Sequence, residues 1–584
     1  MHEQVRRAVR FPLSVLTWLR LILFSHEDLA GLVFWAALVG VCGALASVAF
    51  REGIRLLELV FTGQSMSLVH AAANLPWWHR ALIPPLGGAL AGAALYLAGR
   101  RFVVPRPVDY MEAILVGDGR ISRRATLWNS VSSLLTISSG GSIGREGPMV
   151  QLAAMLGSRL GLAAGAPVPR LRLMVACGGA AGIAAAYNAP LSGALFISEI
   201  VLGSTAMESF GPLVVASVTS AATIHRVLGY GPVYAVPHIE FASNWELIFY
   251  VLMGVLLGHL APPFLGLLNL VKSWFTRLRL PLPAQLALGG VVVGAVSIWV
   301  PEVWGNGYSV VSNILNGGLL GLALLVVLCA KVAATSATVG SGAVGGIFTP
   351  TLFIGCAIGA LVGQGLHALL PSITSEPAAY ALVGMGGFMA ATTHAPLTSI
   401  LMLFEMTLDY GIVLPLMLAC VTAHYTAKVY SRGQSVYSAA LRRGDGLAGG
   451  DWHLRTVEPL MKPATATVTP RTTVEEMFRS LPVKAADRVF IVEGAAIVAW
   501  VDPRAVLERV SAGEIPPQLP VERVARPIGL ALTPQMTLGA ALDAFLREEA
   551  TVLPVISDQW RNVLLGQVSR RDVLLAIGDR LAPR

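Results

Sequence analysis

Residues 139–148 read Ser139-Gly140-Gly141-Ser142-Ile143-Gly144-Arg145-Glu146-Gly147-Pro148, one carboxylate with four glycines and a proline between two apolar segments. Glycine at this density lets backbone N–H groups approach a ligand with no Cβ in the way. If the chain after Gly144 turns into a helix, its first amides point outward without partners, which suits an anion. Glu146 is expensive at membrane depth, where an ionisable group marks function by default. A second stretch, Gly340-Ser341-Gly342-Ala343-Val344-Gly345-Gly346-Ile347-Phe348-Thr349-Pro350, echoes the first: Gly144, Pro148, Gly157 and Gly161 recur as Gly346, Pro350, Gly359 and Gly363, each 202 residues later.

The echo is part of a longer repeat. Ala185, Ala189, Pro190, Leu191, Leu195 and Glu199 return as Ala391, Ala395, Pro396, Leu397, Leu401 and Glu405, each 206 residues on. Two segments keeping nearly one offset imply two homologous halves, roughly residues 29–228 and 245–430. Each glycine-rich stretch precedes an apolar segment, so two helix N-termini are expected to converge on one buried point. Each carries about half a positive charge. Such a pair stabilises a dehydrated anion without a fixed Lys or Arg, which would hold the ion too tightly to pass.

Composition supplies the setting. Of 584 residues 55% are hydrophobic and 13% charged, against about 25% charged in soluble domains, so the chain reads as a multi-pass membrane protein. Apolar segments run over Gly31–Phe50 and Ala81–Gly99. Others follow near 124–138, 149–164, 171–186, 191–204, 209–228, 245–271, 282–300, 317–337, 350–370, 378–391, 396–409 and 411–430. Many fall short of the ~20 residues a full span needs, the mark of broken transporter helices. Arg6, Arg7 and Arg10 precede Phe11–Phe24, which Arg20 interrupts; an interfacial helix fits better than a signal peptide, since no cleavage site of small residues follows. The five cysteines lie in apolar runs without a C-x-x-C pair, so neither disulfides nor a metal site is expected. A net charge of +8 fits basic cytoplasmic ends on anionic lipid rather than nucleic-acid binding.

Composition changes at Gly444, where Gly444–Asp451 opens a linker (444–455) to a soluble α/β region. Thr469-Pro470 and Thr473 match Thr533-Pro534 and Thr537, 64 residues apart. Each copy continues into a helix (Val474–Leu481; Leu538–Glu548) and a β-rich run (Val489–Val492; Val552–Ile556). This resembles a tandem CBS pair, over 456–511 and 521–580. Gly566-Gln567-Val568-Ser569-Arg570-Arg571-Asp572 is similar to that fold's nucleotide signature, which implies Ser569 and Asp572 as contacts for an adenine nucleotide. The first copy has Asp502-Pro503-Arg504-Ala505 instead, so one site at best is intact.

Gly144-Arg145-Glu146-Gly147-Pro148, Gly346-Ile347-Phe348-Thr349-Pro350, Asn188-Ala189-Pro190-Leu191 and Tyr437 in Val436-Tyr437-Ser438-Ala439 resemble the CLC chloride channels and antiporters over roughly residues 30–445. Asp109-Tyr110-Met111-Glu112-Ala113 and Trp304-Gly305-Asn306-Gly307-Tyr308-Ser309 are similar to its bacterial ClcB-like branch. The resemblance implies an all-α membrane domain over 29–443, built as two inverted repeats of broken, tilted helices behind a cytoplasmic N-terminus (1–28). It implies a homodimer in the bacterial inner membrane, the CBS pair cytoplasmic, each subunit with its own anion pathway and chloride as the only required ligand. Glu146 would be the gating glutamate. The Ile347 and Phe348 amides and the Tyr437 hydroxyl would bind the central anion, while the Arg145, Glu146 and Gly147 amides frame an outer site. A carboxylate is an anion that can compete with chloride for such a site, and protonation removes that competition.

Two departures bear on mechanism. Val104-Pro105-Arg106-Pro107-Val108 stands where the family often has Gly-Ser-Gly-Ile-Pro, so the serine of the central site is missing. Ile200 stands where the antiporters carry an inner proton glutamate, and isoleucine relays no proton. The expectation is therefore a glutamate-gated chloride channel, with a chloride/proton antiporter as the alternative. A CBS-regulated cation transporter would need acidic or carbonyl-rich rings. No enzyme is expected: Gly140–Gly144 matches a nucleophile elbow and Gly340–Gly345 a dinucleotide fingerprint, but neither has the required strand context.

Overall fold

The computed structural model describes residues 29–64, 67–101, 109–115, 117–202, 207–229, 231–234, 243, 245–431, 456–464, 466–480, 488–548, 550–557, 562–570, 572, 573 and 576. The segment Phe11–Phe24, the stretch Val104–Val108, Tyr437 and the linker 444–455 lie outside them. The chain divides into two units, Met1–Leu441 and Arg442–Arg584.

The first unit is helical: α1 Leu29–Thr62, α2 Leu68–Asn74, α3 Trp77–Arg101, α4 Tyr110–Leu115, α5 Arg123–Ser138, α6 Glu146–Ala163, α7 Val168–Tyr187, α8 Pro190–Phe196 and α9 Met207–Leu228. The second half follows as α10 Glu246–Arg277, α11 Leu282–Ser297, α12 Tyr308–Leu315, α13 Gly321–Gly340, α14 Phe348–Leu369, α15 Pro377–Thr393, α16 Pro396–Thr407 and α17 Val413–Ser431. Apart from the short α2, the halves run in the same order. The 202-residue offset carries the first residue of α6 onto that of α14, and the 206-residue offset carries Pro190 of α8 onto Pro396 of α16. Among the described residues seven helices are long and apolar enough to cross a membrane, while α11 and α16 are shorter.

Why the helices break where they do is local chemistry. Pro148 and Pro350 sit third in α6 and α14, inside the first turn, where a missing N–H costs nothing. Gly140 (φ 96°) and Gly342 (φ 93°) turn the chain after α5 and α13, a left-handed conformation glycine enters freely. Asn188 (φ 54°) and His394 (φ 60°) end α7 and α15 left-handed, ahead of the two Ala-Pro-Leu turns. His394, the cap of α15, sets its ring against His424. The first helix departs from expectation: α1 runs twelve residues past Phe50, taking in Arg51, Glu52, Arg55 and Glu58.

Between helices, small residues permit close approach where lipid gives no hydrophobic drive to associate. A Cβ on Gly355 of α14 would strike the Gly384 carbonyl of α15, and one on Gly384 would strike that of Gly355. Nearly every residue of α15 is buried, whereas Leu56, Val60, Leu322 and Val429 point outward from the unit. Outward-facing apolar side chains of this kind suit a hydrocarbon surround.

The second unit is α/β. A four-stranded sheet has the order β1 Thr467–Val468, β2 Val489–Glu493, β3 Ala496–Val501 and β4 Arg526–Pro527, with β1 parallel to β2 and the rest antiparallel. A second sheet pairs β5 Val552–Ile556 with β6 Leu564–Ser569. Helices α18 Val474–Ser480, α19 Pro503–Ser511 and α20 Leu538–Arg547 complete it. The two copies exchange their ends: Val457 is buried in the core around Phe545 and Val568, and Val521 in the core around Met477 and Ile491.

Candidate functional site

Gly144 and Gly346, repeat partners, meet as an isolated antiparallel bridge. Gly144 N–H donates to Gly346 O at 2.7 Å and Gly346 N–H returns to Gly144 O at 2.9 Å. Reciprocal contacts between equivalent residues are what a two-fold relation produces. The bridge brings the N-termini of α6 and α14 together. From the start of α6, the Glu146 carboxylate reaches across to the start of α14. Its Oε1 accepts from Phe348 N–H at 3.0 Å and Thr349 N–H at 3.2 Å, and its Oε2 from Thr349 Oγ1 at 2.9 Å. Glu146 is only 7% exposed. The two bridge glycines leave room for this carboxylate where it lies, since a Cβ on either would run into it unless the side chain shifted.

The N-terminal amides of a helix have no partner inside it and carry its positive end. A charged carboxylate therefore sits where α14 offers most to an anion, held by three neutral donors. Around it, the Phe348 ring lies 5.0 Å from Tyr187 and 6.0 Å from Phe196, and Phe348 and Thr349 are both buried.

The expected site residues fall unevenly. Glu146 and Phe348 meet as described. Thr349, not singled out from sequence, contributes both its amide and its hydroxyl; the signal available was its place in Gly346–Pro350, one residue past the expected pair. Ile347 is the N-cap of α14, and the amide donors on the carboxylate are those of Phe348 and Thr349, one register later. Gly147 is a close-approach position, where a Cβ would lie 3.2 Å from the Gly345–Gly346 backbone. Arg145 turns away from the carboxylate and stacks on the Tyr308 ring, its Cζ 5.1 Å from the centroid. It also interacts electrostatically with Arg51 and Glu58 of α1. Ile200 lies in the π-helical turn Ile197–Leu202 that continues α8, half-buried against the apolar core.

Glu199 and Glu405 form a matched pair. Glu405 of α16 accepts from Leu191 N–H at 2.9 Å, Ser192 N–H at 2.8 Å and Ser192 Oγ at 2.5 Å, at the start of α8. Glu199 accepts from Leu397 N–H at 3.2 Å, Thr398 N–H at 2.8 Å and Thr398 Oγ1 at 2.6 Å, at the start of α16. Each half thus caps the other's proline-initiated helix with a carboxylate. The prolines leave those first turns short of local donors and caps, and the charge answers the helix dipole. These two glutamates are structural caps.

In the second unit, the Asp572 carboxylate binds Lys462 Nζ at 2.8 and 2.9 Å and accepts from Ser569 Oγ at 2.8 Å, while Asp572 N–H donates back to Ser569 Oγ at 3.0 Å. The Lys462 ammonium, then Ser569, holds its carboxyl below the usual range. No cluster of three metal-ligating side chains occurs among the described residues.

The family model described as "Voltage gated chloride channel" matches residues 87–428. A putative chloride channel protein, ClcB-like, from Ralstonia nicotianae is 53% identical over 412 residues, covering 70% of this chain and 96% of that protein. The voltage-gated ClC-type chloride channel ClcB of Escherichia coli is 41% identical over 408 residues, covering 69% and 96%. Among solved structures, a slow cyanobacterial Cl−/H+ antiporter aligns at TM-score 0.63 and 27% identity over 72% of this chain and 99% of its own. A eukaryotic CLC transporter aligns at TM-score 0.63 and 17% identity, covering 93% and 97%.

Proposed function

The chain belongs to the voltage-gated chloride channel family, CLC, and we propose that its function is chloride transport through a pathway closed by the Glu146 side chain. The observation that carries this reading is the Glu146 carboxylate on the Phe348 and Thr349 amides. A side-chain anion held by neutral donors at a helix N-terminus is a plug that chloride can replace. When the carboxylate leaves, the same donors take the ion, and none of them carries a full charge that would trap it.

On coupling, we favour passive, glutamate-gated flow, because Ile200, standing where the antiporters carry an inner glutamate, offers no proton acceptor. A second reading, chloride/proton exchange, draws on the likeness to the cyanobacterial antiporter and on the protonatable gate itself. Purified protein in liposomes, with chloride and proton flux recorded together, separates them. Passive flow predicts chloride efflux down its gradient with no proton uptake. Proton uptake against a proton gradient, driven by chloride alone, would overturn it in favour of exchange.

Three further assignments rest on the family resemblance: a homodimer with one pathway per subunit, a bacterial inner-membrane location, and cytoplasmic placement of the N-terminus and the second unit. The second unit we read as a CBS pair, from its two α/β copies and its Ser569–Asp572 turn. An adenine nucleotide there would meet Asp572 with Lys462 alongside it. The Tyr437 hydroxyl remains a proposed ligand of the central anion.

A further inference from the structure

The Thr349 hydroxyl, like that of Thr398 on Glu199, is aimed at a carboxylate rather than at its own helix. Thr136, Thr338, Thr392, Thr407 and Thr422 donate to the carbonyl four residues back in their own helices, the usual fate of a hydroxyl in a helix interior. Thr349 is the second residue of α14, so the residue four back, Gly345, lies outside the helix. Its hydroxyl, 2% exposed as a residue, points instead at Glu146 Oε2, 2.9 Å away.

A second hydroxyl stands behind it. Tyr187, the last residue of α7 and 1% exposed, places its hydroxyl 3.3 Å from Thr349 Oγ1. Thr349 has one hydroxyl proton, and the charged carboxylate can only accept. With that proton committed to Glu146, the Tyr187 hydroxyl is the donor of the second bond. The order is therefore Tyr187 to Thr349 to carboxylate, and donation from the phenol makes the threonine O–H a stronger donor. The Tyr187 ring is held in place independently by Phe348, at 5.0 Å.

We propose that Thr349 Oγ1 is a side-chain ligand for the transported anion at the place Glu146 vacates, and that Tyr187 is the positioning residue that orients its proton toward the ion. This supplies from α14 a hydroxyl of the kind that the Val104–Val108 stretch lacks. An incoming chloride inherits three donors: the Phe348 amide, the Thr349 amide and the Thr349 hydroxyl. Two are backbone groups set by the helix, so the hydroxyl is the one through which sequence can tune affinity and discriminate among anions by size. The inference rests on the reading above, that chloride occupies the place of the Glu146 carboxylate.

The test uses full-length protein in detergent with the site emptied by Glu146→Ala, titrated calorimetrically with chloride, bromide and nitrate. Adding Thr349→Ala or the isosteric Thr349→Val is expected to weaken chloride binding about tenfold, the worth of one hydrogen bond to a charge. Thr349→Ser should restore most of it. Tyr187→Phe, which keeps the ring on Phe348, should cost about threefold, less than deleting the ligand itself. It should add nothing once Thr349 is alanine, because Tyr187 acts only through that hydroxyl. The chloride-to-bromide preference should narrow with Thr349→Ala and return with Thr349→Ser. Chloride binding unchanged by both Thr349→Ala and Thr349→Val overturns the ligand role while leaving the anion site intact. If Glu146→Ala binds no chloride, the anion-site reading falls, and the inference with it.

Discussion

With Glu146 replaced by alanine, chloride flux loses its dependence on pH and at neutral pH exceeds the wild-type rate. The excess is about tenfold if the plug is favoured by ~1.4 kcal/mol. The sign follows from which form of the side chain competes. At pH values where the carboxyl is charged it accepts three hydrogen bonds at the start of α14 and excludes chloride. As pH falls and the group protonates, its bonds lose their charge assistance, and a neutral acid is a poor rival for an anion site. Wild-type flux therefore rises toward acid and falls toward base. Alanine has nothing to protonate and nothing to plug with, so its profile is flat. Glutamine, isosteric but uncharged, should sit near the alanine level at neutral pH. The check is chloride efflux from liposomes over a pH series, and an alanine variant still opened by acid would remove Glu146 from the gate.

The second large effect is on the fold. Glu405→Ala takes the acceptor from three donors at the start of α8, two backbone amides and the Ser192 hydroxyl. Hydrogen bonds to a charge contribute about 1.5–3 kcal/mol each, and donors stranded in an apolar surround cost about 1–3 kcal/mol apiece. A loss of several kcal/mol is expected, seen as a lower aggregation temperature in detergent. Glu405→Gln should recover part of it, because its one carbonyl oxygen can still accept. Glu199→Ala should behave alike, with a smaller loss, since Leu397 at the start of α16 is exposed and its amide has other solvation open to it. Chloride permeation in the surviving Glu405→Gln fraction should keep its pH profile, because neither cap touches the anion site. A shifted profile with unchanged thermal stability would mean that the glutamate serves transport rather than folding.

The contrast between these three glutamates shows what could be read in advance. Glu146 declared itself by company: glycines before it, a proline after it, and a partner stretch 202 residues away. Glu199 and Glu405 were visible as repeat partners, but their roles stayed open, because a carboxylate at membrane depth can cap, pair or bind with the same local sequence. Their reciprocal hold on each other's helix is a long-range contact, more than 190 residues apart in both cases. Thr349 was passed over for a similar reason. A hydroxyl in an apolar helix ordinarily bonds its own backbone, and only its place in the first turn, opposite Glu146 and Tyr187, turns it outward. Arg145, adjacent to Glu146 in sequence, is drawn away by the Tyr308 ring.

By itself the sequence determined the membrane class, the two matched halves, the α/β character of the C-terminal region, and the two stretches, Gly144–Pro148 and Gly346–Pro350, in which α6 and α14 begin. These follow from composition, spacing, and the local demands of glycine and proline, which act within a few residues. Only the tertiary structure decided which groups meet at the site. The two-fold meeting of Gly144 with Gly346, the register that selects the Phe348 and Thr349 donors, the Tyr187 hydroxyl behind them and the exchanged caps at Glu199 and Glu405 all join residues far apart in the chain. Each depends on how one half is set against the other, and local sequence carries no record of that geometry.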